Sequence, residues 1–314
     1  MKSTVVGSFP AEESTPSNFK DKLLNSFGAY DPFKEAIKAS VIAQLDAGVD
    51  IISDGQVRWD MVSIFTKYIP GMKIDDGNTV IVSKIRNPTQ EISIKDMQYA
   101  KKVMNDYYNG NIPEGKGIKG IITGPNTIVH SSRIQSFYKN KEDAIIDLAH
   151  SLKFEVNAIV KKVDPVYIQV DEPFLSTGMV DMKTAREAID IIHDGLEIPL
   201  GMHVCGILNN AFKDIANFNV DILDMEFAGN NVNLDVLEKN ASLLGDKKVG
   251  FGCVDSSVNE VDDIKDIENL VLKAIEIVGK DNLILDPDCG LRRAPKDVAF
   301  EKLRLMNEIK DKYS

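Results

Sequence analysis

Apolar and polar positions along the chain follow two periods in turn. Short β-branched runs, the pattern of buried strands, recur at 4–9, 49–53, 118–123, 166–170, 199–205, 221–227, 248–253 and 282–286. Longer stretches with apolar residues at helical spacing lie between them, at 34–45, 142–162, 184–194, 234–244 and 261–278, and a last one runs from about 296 onward. Strands alternating with helices of this length predict a parallel sheet, and eight such units fit a (βα)8 TIM barrel better than a doubly wound sheet. One stretch does not fit the alternation. Residues from about 56 to 117 read as an insertion after the second strand, with a hairpin turning at Asp76-Gly77 and a helix over 94–108. With no Pro- or Ser-rich linker in view, the pattern predicts one domain over 1–314.

Charge narrows the function. With 37 basic against 48 acidic residues the formal net charge is -11, which argues against a nucleic-acid surface. The opening "MKSTVVGSFP" is too short in its apolar run for a signal peptide, and nothing later reaches the roughly 18 apolar residues of a membrane helix. The cytoplasm and no membrane partner are therefore expected. Three cysteines make no disulfide framework, which directs attention to metal or catalytic use.

A barrel enzyme draws its reactive groups from the C-terminal ends of its strands. The predicted ends carry Gly7-Ser8, Asp54-Gly55, Thr123-Gly124, Asp171-Glu172, His203 with Cys205, Glu226, Cys253 with Asp255, and 286–289. His203 and Cys205, two residues apart on a strand, point to one side. Glu226 and Cys289 end other strands of the same ring, so the four offer imidazole, two thiols and a carboxylate to one ion, a donor set suited to zinc. Alone, His-x-Cys also fits a buried strand with a satisfied histidine. Cys253, on the alternating strand "KVGFGCVD", reads as a packing cysteine. A free thiol, with a pKa of about 8.5, is only slightly ionised at neutral pH, and a metal removes its proton outright. Alkylation of a substrate thiol is the chemistry this site favours.

The residues "VVGSFP", "DGQVRWDM", "IKGIITGPNT", "IQVDEP", "MHVCG", "DMEFAG", "VGFGCVD" and "LDPDCGLRR" occur in the order found in the catalytic domain of cobalamin-independent methionine synthases, and the chain resembles that family over nearly its whole length. The resemblance implies a (βα)8 barrel, Zn2+ held by His203, Cys205, Glu226 and Cys289, and homocysteine as the thiol placed on zinc. It also implies a carboxylate site at Gly7 and Ser8, and Asp171 as the acid receiving the substrate ammonium. The alternatives are a plain turn at "GSFP" and a helix N-cap at Asp171. The chain looks like the C-terminal barrel of the full-size enzyme alone, as in the short archaeal-type forms.

Three departures bear on the methyl donor. Gln56 stands near where folate-dependent members have a second acid for the ammonium. Ser131 falls where they carry a tryptophan against the folate, and the only Trp, Trp59, is in the insertion. Ser257 takes the place of a histidine that helps protonate the leaving nitrogen. Methyltetrahydrofolate needs such an acid, because its amine leaves poorly without a proton. A methylcorrinoid, free or on a corrinoid protein, needs none and is the expected donor. His130, near the missing Trp, reads as a polar loop residue that would otherwise approach the donor. Competing readings are a coenzyme M methyltransferase, a folate-dependent methionine synthase, a zinc lyase and a non-catalytic zinc-holding barrel.

Overall fold

The computed structural model describes residues 1–58 and 60–314, so Trp59 lies outside the described residues. Its strands are β1 (Lys2–Ser3), β2 (Ile51–Ile52), β3 (Met72–Asp75), β4 (Asn78–Ile81), β5 (Gly117–Ile118), β6 (Gly120–Thr123), β7 (Arg133–Ile134), β8 (Ile168–Asp171), β9 (Leu200–Val204), β10 (Ile222–Glu226), β11 (Lys248–Val254) and β12 (Leu283–Pro287). Seven form one sheet in the order β1-β12-β11-β10-β9-β8-β6, every neighbour parallel. β5 leads into β6 across Lys119 and pairs in parallel with β2, while Thr4, just beyond β1, bridges Ile51 of β2. The pairing thus leads from β1 around the sheet and back, an α/β fold of TIM-barrel-like form.

Two expected strands differ in a way that matters for the site. The first pairs only at Lys2–Ser3, with Thr4 bridging, and residues 5–9 leave the ladder although Val5, Val6 and Phe9 are buried. Their backbone groups are satisfied by neighbouring loops instead: Ser53 Oγ donates to the Gly7 carbonyl at 3.0 Å, Phe9 N–H to that of Gly55 at 2.9 Å, and Leu291 N–H to that of Ser8 at 2.8 Å. The third strand is split at Lys119, whose side chain is wholly buried, so its two halves pair with different neighbours.

The hairpin at Asp76-Gly77 is present. Both turn residues have positive φ, 48° and 77°, as a two-residue turn matching strand twist requires. β7 adds to β4 in parallel and makes a three-stranded sheet with β3, a partner too short to leave a periodic signature in sequence. The helix expected at 94–108 is Ile94–Tyr107. Short helices at Phe19–Ser26, Ser63–Thr66, Pro125–His130 and Phe212–Ile215 were not read from the pattern.

The longest connecting helix shows why the pattern worked. Lys141–Val163 starts where the Asn140 side chain accepts the Asp143 N–H at 2.9 Å, and it stops at Asp164 in the left-handed region, φ 54°. Ala144, Ile145, Leu148, Leu152, Val156 and Ile159 form its buried stripe. Each large aliphatic side chain buried there stabilises the fold by about 1.5–3 kcal/mol relative to exposure.

The C-terminal helix Lys296–Tyr313 is anchored by charge as well. Lys302, fully buried, donates to the Asp255 carbonyl at 2.8 Å and to Asp262 Oδ2 at 2.7 Å, which fixes the loop after β11. Substituting Lys302→Met strands Asp262 beside an apolar chain, and a loss of about 3 kcal/mol is expected by denaturant unfolding. Adding Asp262→Leu should restore part of it, since the Asp255 N–H that Asp262 Oδ1 accepts at 2.8 Å is then also lost, whereas a destabilisation unchanged in the double variant would refute the pairing.

Candidate metal and substrate site

His203 lies on β9, Cys205 directly after it, and Cys289 follows β12. One ligating atom from each falls within 4.8 Å of the other two. His203 is 2% exposed, and neither ring nitrogen has a hydrogen-bond partner. Asp224 Oδ2 sits 3.1 Å from His203 Nδ1, at ion-pairing distance but out of line for a hydrogen bond. The register explains the meeting, since Asp224 of β10 is the direct neighbour of His203. An imidazole buried without partners is costly, and two adjacent thiols complete a donor set that an ion such as zinc would satisfy.

The protonation states follow from this crowding. Burial pushes the His203 imidazole down, but Asp224, aided by the two cysteines, outweighs it and holds the group well above its usual range. The hydrogen bond from Cys205 lowers the Cys289 thiol to about 4 against burial, with His203 helping. Cys205 is pushed up by the same contact and by burial. The crowding therefore favours a proton on His203 and on Cys205 and its loss from Cys289.

Glu226, at the end of β10, is not a member of the three-residue group. Its Oε2 accepts the Gly206 N–H at 2.7 Å and its Oε1 the side chain of Asn230, so it grips the loop just past Cys205. Asp288 holds the same region from the other side. Its carboxylate accepts the N–H groups of Phe227 and Ala228, both at 2.9 Å, and of Gly229 at 2.6 Å, tying the β10 loop to the residue before Cys289.

Asp171 ends β8 beside His203 in register and is buried. Burial raises its carboxyl to about 6, opposed by His203, by a hydrogen bond from Gln169 at 2.7 Å and by Lys119. It is thus mostly ionised at pH 7. Gly7 and Ser8 are held by close approaches: a Cβ on Gly7 would fall 2.3 Å from Gln56 Oε1, and one on Gly290 would fall 2.1 Å from Ser8 Oγ. Gln56 itself has positive φ, 42°, and its carbonyl accepts from Arg292.

Ser8, Gln56, Cys289 and Gly290 line one cavity of about 580 Å³, together with Arg58 and Ser257 among others. That is the size of a small-ligand site. Cys289 belongs both to this cavity and to the thiol group, whereas Asp171, His203, Cys205 and Glu226 are not among its lining residues. Ser257 faces the cavity with its hydroxyl held by Asp255 Oδ1 at 2.6 Å. His130 is not a loop residue: it ends the helix Pro125–His130, bonds the Asn126 carbonyl at 2.9 Å through Nδ1 and stacks on Phe174. Cys253 is buried, in keeping with packing.

Sequence reading missed Asp224, Lys119 and Gln169, all buried in the ring. A signal was available: Asp224 precedes Glu226 by two, and Gln169 precedes Asp171 by two, so each shares a face with a candidate residue.

Fold and site together define a class, a TIM-barrel-like α/β protein with a His-Cys-Cys group able to hold a metal at its strand ends. Residues 1–312 match the family described as the cobalamin-independent synthase, catalytic domain. Relatives named methionine synthase from Methanothermobacter thermautotrophicus and Methanocaldococcus jannaschii are 48% and 47% identical, each over 98% of both chains. A B12-independent methionine synthase from Shewanella sp. W3-18-1, solved with selenomethionine, is 20% identical and superimposes with a TM-score of 0.82 over 99% of this chain and 97% of its own. The chain belongs to the cobalamin-independent methionine synthase catalytic-domain family.

Because His203 and Cys205 hold protons that a metal must displace, zinc binding at pH 7 should release about two protons. Affinity should rise with pH through the neutral range until both groups ionise. Calorimetry in buffers of different ionisation enthalpy measures the number, and a value near zero would contradict the assigned states.

Proposed function

We propose that this chain transfers a methyl group from a methylcorrinoid, methylcobalamin or a corrinoid protein, to the thiol of homocysteine, giving methionine. The observation that carries the reading is the His203, Cys205 and Cys289 group opening through Cys289 onto a cavity lined by Ser8 and Gln56. The architecture behind it is a single (βα)8 barrel over 1–314, with about 56–117 inserted after the second strand. No helix among the described residues is long and apolar enough to cross a membrane, which suits a cytoplasmic enzyme.

His203, Cys205 and Cys289 would hold Zn2+, with Glu226 as the fourth ligand once it gives up Gly206 and Asn230. When bound, zinc supplies the positive charge that keeps the substrate sulfur deprotonated at neutral pH. Asp171, ionised at pH 7, receives the substrate ammonium, and the Ser8 hydroxyl with the backbone at Gly7 receives its carboxylate. Gln56 packs on Gly7 and completes the amino-acid pocket. Held this way, the sulfur meets the methyl carbon in a near-attack arrangement.

The thiol proton passes to solvent. A carbon–sulfur bond forms, the cobalt–carbon bond breaks, and its electron pair leaves with cobalt as cob(I)alamin. That leaving group needs no proton, which accords with a serine at 257 whose hydroxyl is already committed to Asp255. Asp171 favours an acceptor carrying an ammonium and so separates homocysteine from coenzyme M.

The test is methyl transfer by the zinc-loaded protein from excess methylcobalamin to homocysteine, with coenzyme M and methyltetrahydrofolate in parallel as alternative acceptor and donor. Methionine from the corrinoid alone is the expected result. Turnover only with methyltetrahydrofolate would overturn the donor assignment, and turnover only with coenzyme M the acceptor.

A further inference from the structure

Gln169 has no part in the roles above, yet its side chain lies between the two halves of the proposed amino-acid site. It sits on β8 two residues before Asp171, on the same face of the strand, and is 1% exposed. Its amide makes three hydrogen bonds. Oε1 accepts from Lys119 Nζ at 2.5 Å, and Nε2 donates to Asp171 Oδ1 at 2.7 Å and to the Val6 carbonyl at 2.8 Å.

These partners leave the amide no choice of orientation. A lysine has only donors to offer, and a carboxylate or carbonyl has only acceptors. Flipping the amide would set its NH2 against the Lys119 ammonium and its oxygen against Asp171 and Val6, losing three bonds in a buried site. Lys119, itself fully buried, thus fixes which end of Gln169 faces the site. One N–H then pins one oxygen of Asp171, and the other pins the carbonyl that leads into Gly7-Ser8.

Resting on the reading of Asp171 as the ammonium acceptor and of Gly7-Ser8 as the carboxylate site, we infer that Gln169 is a positioning residue that sets the spacing of these two groups, with Lys119 setting its orientation. The pair makes the site selective for α-amino acid thiols over thiols without the amine. Neither residue touches substrate. A purely structural role, satisfying buried polar groups, would affect every thiol ligand and the metal alike.

The experiment is calorimetric binding of homocysteine and of its des-amino analogue, 4-mercaptobutanoate, to the zinc-loaded protein and to its Gln169→Glu, Gln169→Met and Asp171→Asn variants. Gln169→Glu keeps an acceptor for Lys119 and so retains the buried pair, but it turns an oxygen on Asp171 and Val6. Losing the charge-assisted contact should weaken homocysteine about tenfold or more in both Gln169 variants. 4-Mercaptobutanoate keeps the carboxylate but lacks the ammonium that Asp171 would receive, so it should weaken by a clearly smaller factor than homocysteine, and zinc stoichiometry should hold. Gln169 variants that bind zinc and keep the wild-type preference, or lose both thiols equally, overturn the inference. If Asp171→Asn also keeps the preference, it is the Asp171 reading that fails. If only Asp171→Asn abolishes it, that reading stands and the positioning role of Gln169 does not.

Discussion

The interior of the strand ring is organised around one buried lysine, Lys119. Lys119 lies out of reach of water, where burial alone would drive its ammonium towards neutrality, and Asp224, Asp286 and Asp171 oppose that shift. The need is mutual. Burial likewise raises the Asp286 carboxyl, with Asp224 adding to the effect and Lys119 and His203 working against it. Attraction offsets the burial only in part: the Lys119 amine stays shifted downward and the Asp286 carboxyl well upward, and neither Asp286 oxygen has a hydrogen-bond partner. Because Lys119 splits the third strand, it also joins the two pairing partners that bring the sheet round to its start.

From that set the site is built outward. Asp224 meets His203 because β9 and β10 are in register at that pair, and a carboxylate beside the imidazole biases which nitrogen remains for a metal. Asp288 ties the β10 loop to the approach to Cys289, and Glu226 ties it to the residue after Cys205. Donors distant in sequence are thereby held by backbone hydrogen bonds and not by their own flexibility. Such support determines whether a site is present to within a fraction of an ångström or only nominally.

The cavity joins the thiol group to more irregular parts of the chain. Its lining includes Cys289, which belongs to that group, and Ser8, together with Arg58 and Ser257 from loops. Arg58 is forked between Asp31 and Asp96, so this part of the lining is braced by ion pairs of 2.6 Å.

By itself the sequence determined the alternation of strands and helices, the hairpin at Asp76-Gly77 and the His203, Cys205 and Cys289 group, because periodicity, turn chemistry and strand ends are local properties. It also marked Glu226 and Asp171 as strand-end acids. Tertiary structure decided what local pattern cannot carry. Residues 5–9 look like a strand but leave the ladder, since loop groups at Ser53, Gly55 and Leu291 take their hydrogen bonds. Glu226 stands outside the thiol group, because the amide of Gly206 and the side chain of Asn230 compete for its oxygens. Asp224, Gln169 and Lys119 read as ordinary polar residues along the chain. Their buried, mutually dependent arrangement exists only once strands far apart in sequence lie side by side, where register decides which polar groups face each other away from water.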